Sequence, residues 1–134
     1  NACPACILHH PFNVRSVGYI SSLNPLLLLH LKTYALLVQG ACCHMLQQHD
    51  RAQDLLRRAL RIANDNQSKP AIAVCLGKLG ESCMSSHTSS AGGGQLWEKA
   101  KEALQSGLLL TAKMKDDYGQ IEILTLLSKW FRMA

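Results

Sequence analysis

Five apolar-striped segments, joined by polar turns, constrain the fold of this chain most. In each segment the apolar residues recur every three or four positions, which places them along one face of an α-helix. The clearest stripe consists of Ala52, Leu55, Leu56, Ala59, Leu60 and Ala63. Over 95–114 the residues predicted to face inward are Trp97, Ala100, Leu104, Leu108 and Ala112, and the apolar residues over 117–133 are Ile121, Ile123, Leu124, Leu127, Trp130 and Phe131. The alternation that is typical of a half-buried strand is almost missing. The sequence therefore predicts an all-α fold, with helices over about 25–46, 50–64, 70–85, 95–114 and 117–133.

Capping patterns mark the start of three of these helices. Asn24 and Pro25 give a capping residue followed by proline at the first helical position. Asp50 and Asp117 are each followed three residues later by glutamine, which is a capping-box pattern, and the pair Asp116 and Asp117 is predicted to form a helix cap. The stretch SSHTSSAGGG over 85–94 has the composition of a flexible loop.

Length and composition favour one helical domain. The chain has 134 residues, of which 48% are apolar and 17% are charged, and this is too apolar for a disordered protein. We expect an irregular N-terminal segment over 1–24 and a helical domain over 25–134. Because the chain begins with Asn1 and ends directly after an apolar run, we also expect it to be part of a longer protein.

Small residues recur at fixed distances in the first two helices. Gly40 is followed by Ala52 twelve residues later and by Ala59 nineteen residues later. The tetratricopeptide repeat places small residues at these offsets, since two antiparallel helices approach closely only where no bulky side chain separates their backbones. Glycine costs a helix about 1 kcal/mol relative to alanine, and closer packing offsets this cost.

A second set of small residues repeats the pattern. Gly80, Ala100 and Gly107 take the same roles, and the Ser/Gly loop supplies eight extra residues between the first two. The helix over 117–133 begins a third unit. We therefore expect antiparallel helical hairpins stacked as a tetratricopeptide-like right-handed superhelix of about two and a half repeats. Other helical-hairpin arrays and a plain helical bundle are the alternatives.

The longest apolar run, over 25–46, has the length of a membrane span. Lys32 and three further polar residues interrupt it, and a charge at bilayer depth is costly. We therefore predict a helix buried in a helical stack and no membrane association. The net charge of +5 is compatible with an acidic partner, but it is too diffuse to indicate direct DNA binding.

The N-terminal stretch CPACILHH offers the clearest possible metal ligands. Cys3 and Cys6 have a zinc-knuckle or redox spacing, and His9 and His10 could add ligands. A second spaced ligand pair is missing, and redox CxxC motifs usually open a helix after a strand. We favour surface or disordered cysteines here. A zinc- or redox-linked module that uses these four residues remains an alternative.

The rest of the chain shows no catalytic pattern. Neighbouring side chains on a helix point about 100° apart, so Cys42, Cys43 and His44 cannot form a nucleophile–base dyad with one another. The AGGG stretch lacks the lysine of a phosphate-binding loop. We therefore predict a non-enzymatic protein without a cofactor. Its helical cysteines behave as small hydrophobic residues, which favours reduced thiols in the cytosol or nucleus.

A helical array without a chemical site usually presents a groove to another protein. In tetratricopeptide geometry the first helix of each hairpin lines the concave face. Thirteen residues are predicted on this face: Tyr34, Leu37, Ala41, His44, Met45, Val74, Gly77, Glu81, Met84, Ile121, Leu124, Ser128 and Phe131. Such an apolar surface suits an extended or helical segment with apolar anchors.

Four stretches resemble one family of repeat proteins. They are LVQG over 37–40, RAQDLLRRALRIAN over 51–64, AVCLGKLGE over 73–81 and TAKMKDDYGQIEILTLL over 111–127. They are similar to the C-terminal repeats of the tetratricopeptide subunit of the cohesin loader, and the resemblance covers about residues 33–133.

This resemblance implies a nuclear, chromatin-associated scaffold, with the cytoplasm as the second choice of location. Members of the family wrap an extended N-terminal segment of the large Nipped-B-like subunit, and the pair helps to load cohesin onto chromatin. DNA contact would then come mainly through the partner. A tetratricopeptide scaffold of another complex, such as a ubiquitin-ligase or trafficking assembly, is the alternative.

Overall fold

A computed structural model describes residues 25–87 and 94–133, and these residues form five α-helices. The helices are α1 (Pro25–Met45), α2 (His49–Asp65), α3 (Lys69–His87), α4 (Gly94–Met114) and α5 (Asp117–Met133). The described ranges contain no strand, which confirms the all-α prediction. The predicted irregular segment over 1–24 lies outside the described residues.

Each helix packs against the next one along the chain, and α3 also contacts both α1 and α5. The contacts show that neighbouring helices run in opposite directions. In the first pair, Cys43 near the end of α1 clusters with Ala52 at the start of α2. Leu37, earlier in α1, clusters with Ala59, later in α2. Successive antiparallel hairpins therefore build the molecule, with the first helices of the hairpins side by side.

The small residues lie where the paired helices approach most closely. A Cβ atom added to Gly40 would lie 2.8 Å from Leu56 Cγ, and one added to Gly80 would lie 2.7 Å from Leu104 Cγ. Ala52 and Ala100, four residues before these leucines, are fully buried. Real Cβ atoms avoid such distances, so α1 and α3 need glycine at these two points.

Three helix ends use the same tight turn. After α1, the N–H of Gln48 donates to the Cys43 carbonyl and the N–H of Gln47 donates to the His44 carbonyl. This pair of bonds is a Schellman motif, and the same pair recurs after α2 and α4. The central residues Gln47, Gln67 and Lys115 have left-handed φ values of 60°, 55° and 56°. These turns return the chain directly into the next helix.

The turns also explain why the predicted caps were partly wrong. Helix α2 begins at His49 after Gln48, which makes no capping side-chain bond. The side chain of Gln53 instead accepts a bond of 3.2 Å from Arg57. At α5 the cap is Asp116 rather than Asp117, and it accepts the N–H of Gly119 at 3.0 Å. The preceding Schellman turn therefore leads the chain into α2 without a side-chain cap, whereas Asp116 supplies a local cap for α5.

Two other predictions about the helices need correction. Helix α3 runs to His87, two residues beyond the predicted end, so part of the Ser-rich stretch is helical. In α4 the buried residue of the last turn is Thr111, whereas Ala112 is exposed. The hydroxyl of Thr111 donates to the Gly107 and Leu108 carbonyls, so its polar atom is satisfied inside the helix.

Aromatic residues join α4 to α5. The rings of Trp97 and Trp130 stack with centroids 5.2 Å apart, and Trp130 Nε1 donates to the Trp97 carbonyl at 2.8 Å. Lys101 Nζ lies 4.9 Å from the centre of the Trp130 ring. Both indoles are buried, as the apolar stripes of these helices predict. This pair holds α5 against the second hairpin.

Candidate functional site: a groove along the first helices

Two adjoining cavities follow the side of the molecule formed by α1, α3 and α5. One, of about 330 Å³, lies between α3 and α5. The other, of about 500 Å³, lies at the end where α1, α3 and α5 meet. Glu81 and Leu126 line both cavities, so the two form one continuous surface. We call this surface the groove.

The cavity between α3 and α5 has an apolar floor and a charged rim. Buried Ala73 and Ile123 form part of its floor, beside exposed Val74. Its rim carries three carboxylates and one ammonium group: Glu81, Asp116, Glu122 and Lys78. Such a surface can bury an apolar side chain and offers acidic groups to a basic neighbour.

The second cavity is richer in imidazole and thioether side chains. Its lining includes Met45, Met84 and Met133 together with His44 and His49. The two imidazole rings lie 5.6 Å apart, and neither Nδ1 atom has a hydrogen-bond partner within the part of the chain that the structure describes. Methionine adapts to differently shaped apolar partners, so this end of the groove suits a variable anchor.

A contact between an imidazole and a carboxylate joins the first helices of the two hairpins inside the groove. Glu81 Oε1 lies 3.8 Å from His44 Nε2, and Glu81 Oε2 lies 3.8 Å from Lys78 Nζ. The prediction placed both His44 and Glu81 on the concave face, and the fold brings them together although they are far apart in sequence. These side chains are partly exposed, so their attraction is weak and mainly positions the groove wall.

The structure exposes part of the predicted partner-binding set. Tyr34, Met45 and Val74 are exposed, and Ala41 and Gly77 are partly buried. One predicted residue needs correction: Leu37 is only 6% exposed because it packs against α2 and α3, and it lines neither cavity. Met84 lines the second cavity, although it is 3% exposed and also belongs to a core cluster.

The predicted set on α5 was shifted by one residue. Ile123 contacts Gly107 and lies sixteen residues after it. Cys75 clusters with Ala59 and also lies sixteen residues after it, so Ile123 of α5 is equivalent to Cys75 of α3. Ser128 is then equivalent to Gly80, which lies on the face of α3 that packs against α4. The α5 residues that line the groove are Ile121, Glu122, Ile123, Thr125, Leu126, Lys129 and Met133. Leu124, Ser128 and Phe131 are exposed but line neither cavity.

The helical cysteines differ in exposure. Cys42 is exposed, whereas Cys43, Cys75 and Cys83 are buried, and all four are free thiols. Burial raises the pKa of the Cys75 thiol to about 11 and also raises the pKa of Cys83. Both therefore stay protonated and unreactive near neutral pH.

Candidate metal ligands fall into two groups. Within residues 25–87 and 94–133, no cluster of three or more His, Cys, Asp or Glu side chains is placed to hold a metal ion. Cys3, Cys6, His9 and His10 lie outside the described residues.

Helix α1 is long and apolar enough, by length and composition, to cross a membrane. Only 22% of its most apolar window is buried within the molecule. Leu27, Leu31 and Val38 are exposed on it. The prediction of a helix buried in a helical stack is therefore wrong for α1 within the described residues. Its length and composition are weak evidence of a membrane span, because the core helix of a soluble protein and a signal sequence share them.

No protein-family model, curated protein or solved structure matches this chain.

Proposed function

We propose that this protein is a non-enzymatic protein–protein interaction scaffold, built as a tetratricopeptide-like right-handed superhelix. The small residues at the two helix crossings support the repeat class. Gly40 with Ala52 and Gly80 with Ala100 occupy equivalent places in the two hairpins. A stack of such hairpins presents the first helix of each unit along one extended surface.

The groove is the observation that carries this proposal. It runs across three helices, combines an apolar floor with a charged rim, and has cavities large enough for individual side chains of a bound segment. An extended polypeptide would place apolar anchors over Val74 and near Met133. A basic residue of the segment would pair with the carboxylates around Glu122.

We further propose an extended N-terminal segment of a Nipped-B-like subunit as the partner. The support is the resemblance of the repeat stretches to the cohesin-loader tetratricopeptide subunit. In this function the protein is an adaptor in the nucleus that supports cohesin loading on chromatin, and it contacts DNA mainly through its partner. The groove suits that role because it follows the long direction of a helical stack rather than closing around a small ligand.

The test is fluorescence anisotropy with a labelled N-terminal segment of the Nipped-B-like subunit, added to the whole chain. We expect saturable binding that tolerates salt, and only weak, salt-sensitive binding of a random DNA duplex at two salt concentrations. Val74→Glu places a charge in the groove and should weaken segment binding about tenfold or more. Leu109→Glu is the control, since Leu109 is also an exposed apolar residue (61% against 45% for Val74) but lies on α4 outside the groove.

Two results would contradict the proposal at different levels. A folded chain that binds no Nipped-B-like segment removes that partner and leaves the scaffold. Equal weakening by Val74→Glu and Leu109→Glu removes the groove as the binding surface.

A further inference from the structure

Side chains of opposite charge lie at the two ends of the groove wall that α5 forms. Glu122 lines the cavity between α3 and α5, and Lys129 lines the second cavity. They are seven positions apart, so both leave the same face of α5, about 10 Å from each other along the helix axis. Leu126 lies between them on this face and lines both cavities. The groove side of α5 therefore presents a carboxylate, an apolar side chain and an ammonium group, in that order.

The rest of the described chain does not neutralise these two charges. Glu122 and Lys129 are exposed, and neither makes an ion pair with another residue that the structure describes. Glu81 lines both cavities, but Lys78 Nζ lies 3.8 Å from its carboxylate and offsets its charge. Asp116 adds a carboxylate to the first cavity, and the imidazoles of the second cavity carry no negative charge in either protonation state. The groove is therefore negative at one end and positive at the other.

The distance between these charges fits an extended ligand. A polyproline II chain rises about 3.1 Å per residue with three residues per turn, so side chains three positions apart lie on the same side, about 9 Å from each other. This spacing matches the distance of about 10 Å between Glu122 and Lys129 along α5. Side chains three positions apart in an α-helix are separated by only about 4.5 Å along the axis. A charge spacing of three residues therefore favours an extended ligand over a helical one.

We infer that the groove binds an extended segment that carries one basic and one acidic side chain three positions apart, with an apolar side chain between them. The basic group pairs with Glu122, the acidic group pairs with Lys129, and the apolar side chain packs over Leu126. This inference rests on the proposed function, because it specifies which segment the scaffold accepts. Since each end of the groove accepts one sign of charge, the order of the two charges also fixes the direction in which the segment lies along α5.

The test uses three labelled peptides that share one series of proline and apolar residues. At two positions, three residues apart, the first peptide carries arginine and glutamate, the second carries two arginines and the third carries two glutamates. Each peptide is added to the whole chain, and binding is followed by fluorescence anisotropy. Because exposed ion pairs are weak, we expect the mixed peptide to bind about fivefold more tightly than either of the others. Added salt should reduce this difference.

Reversing one charge of the groove should change which peptide is preferred. In the Lys129→Glu protein, the peptide with two arginines should bind about fivefold more tightly than the mixed peptide. Lys99→Glu is the control, since Lys99 is exposed on α4 outside both cavities and undergoes the same change of charge. The Lys99→Glu protein should still prefer the mixed peptide. Both lysines are exposed, so the far-ultraviolet circular dichroism spectrum of each variant should stay unchanged.

Three results would overturn the inference. The first is equal affinity for the three peptides, and if Val74→Asn then weakened all of them, the groove would remain the binding surface without a charge requirement. The second is failure of the mixed peptide to bind, whereas the Nipped-B-like segment, measured separately, decides the proposed function. The third is a gain of helical circular dichroism when the mixed peptide binds, because the ligand would then be a helix.

Discussion

The hairpins α1–α2 and α3–α4 cross in the same way although their connections differ. Three residues separate α1 from α2, whereas six separate α3 from α4. In both hairpins a glycine lies under a leucine, with added Cβ distances of 2.8 Å at Gly40 and 2.7 Å at Gly80. The sizes of the side chains at the contact therefore set the crossing, and the length of the connection does not.

The two hairpins differ in how the next helix is held. Cys75 of α3 packs on the first hairpin in a small cluster with Leu56 and Ala59. Helix α5 packs on the second hairpin through a larger cluster that includes the stacked indoles of Trp97 and Trp130. The packing of α5 on the second hairpin therefore depends on a few large side chains, whereas the packing of α3 on the first hairpin depends on the close approach of small ones.

Removing the Trp130 indole should give the largest effect. We expect Trp130→Ala to lower the free energy of unfolding by about 3–5 kcal/mol, because it removes a buried ring and a hydrogen bond to the Trp97 carbonyl. Urea unfolding followed by circular dichroism measures this change. Hydrogen exchange should accelerate in α4 and α5 more than in α1 and α2.

Tyr118→Ala on the same helix is the matched control. Tyr118 is exposed, so its loss should change stability by less than about 0.5 kcal/mol. If Trp130→Ala accelerated hydrogen exchange equally in all five helices, the packing of α5 on the second hairpin would not be independent of the packing of α3 on the first.

Adding a methyl group at the two crossings should give the next largest effect. Gly40→Ala and Gly80→Ala should each lower the free energy of unfolding by about 1–3 kcal/mol, although alanine favours helices, because the new Cβ collides with Leu56 or Leu104. Chemical denaturation of each variant tests whether the two crossings respond alike.

Gly77→Ala in α3 is the control for this pair. A Cβ atom there would meet only Ile123 Cγ1, at an ordinary contact of 3.8 Å. Helix propensity should then dominate and raise stability by about 0.5–1 kcal/mol. A gain of the same size at Gly40 would show that the first crossing does not require glycine.

The smallest effects should arise at the turns. Gln47→Gly after α1 and Gln67→Gly after α2 should each raise the free energy of unfolding by up to about 1 kcal/mol, because both residues have left-handed backbones that glycine adopts without strain. Thermal unfolding measures this gain. Gln39→Gly inside α1 should instead lower stability by about 1 kcal/mol. If all three substitutions changed the free energy of unfolding in the same direction, the left-handed backbones of Gln47 and Gln67 would be contradicted.

The local pattern was enough to find the helices and their closest contacts. The stripes of α2 and α4 predicted which residues are buried, including Ala52, Ala100 and Trp97. Of the predicted pair Asp116 and Asp117, Asp116 caps α5. The capping pattern failed at Asp50, since the turn before α2 had already fixed the path of the chain. Local rules cannot include that constraint, because it comes from the preceding helix.

The groove was only partly predictable. Met45, Val74 and Met84 line it and follow from their places on the first helices. Tyr34 and Leu37 occupy similar places but line neither cavity, and α2 and α3 bury Leu37. The predicted α5 set lies one residue too early, since the twenty-one residues from Ala59 to Gly80, counted again from Gly107, lead to Ser128. The contact of Gly107 with Ile123 gives the same register.

By itself, the sequence determined an all-α chain whose small residues force close helix crossings, since periodicity and side-chain size act through neighbours three to seven residues apart. Tertiary structure alone decided which faces meet solvent. His44 and Glu81 lie beside each other in the groove because two hairpins stack. Cys83 is buried because α4 covers it, whereas Phe131 is exposed because no helix among the described residues lies over it. Burial depends on neighbours distant in sequence, and only the packed helices reveal them.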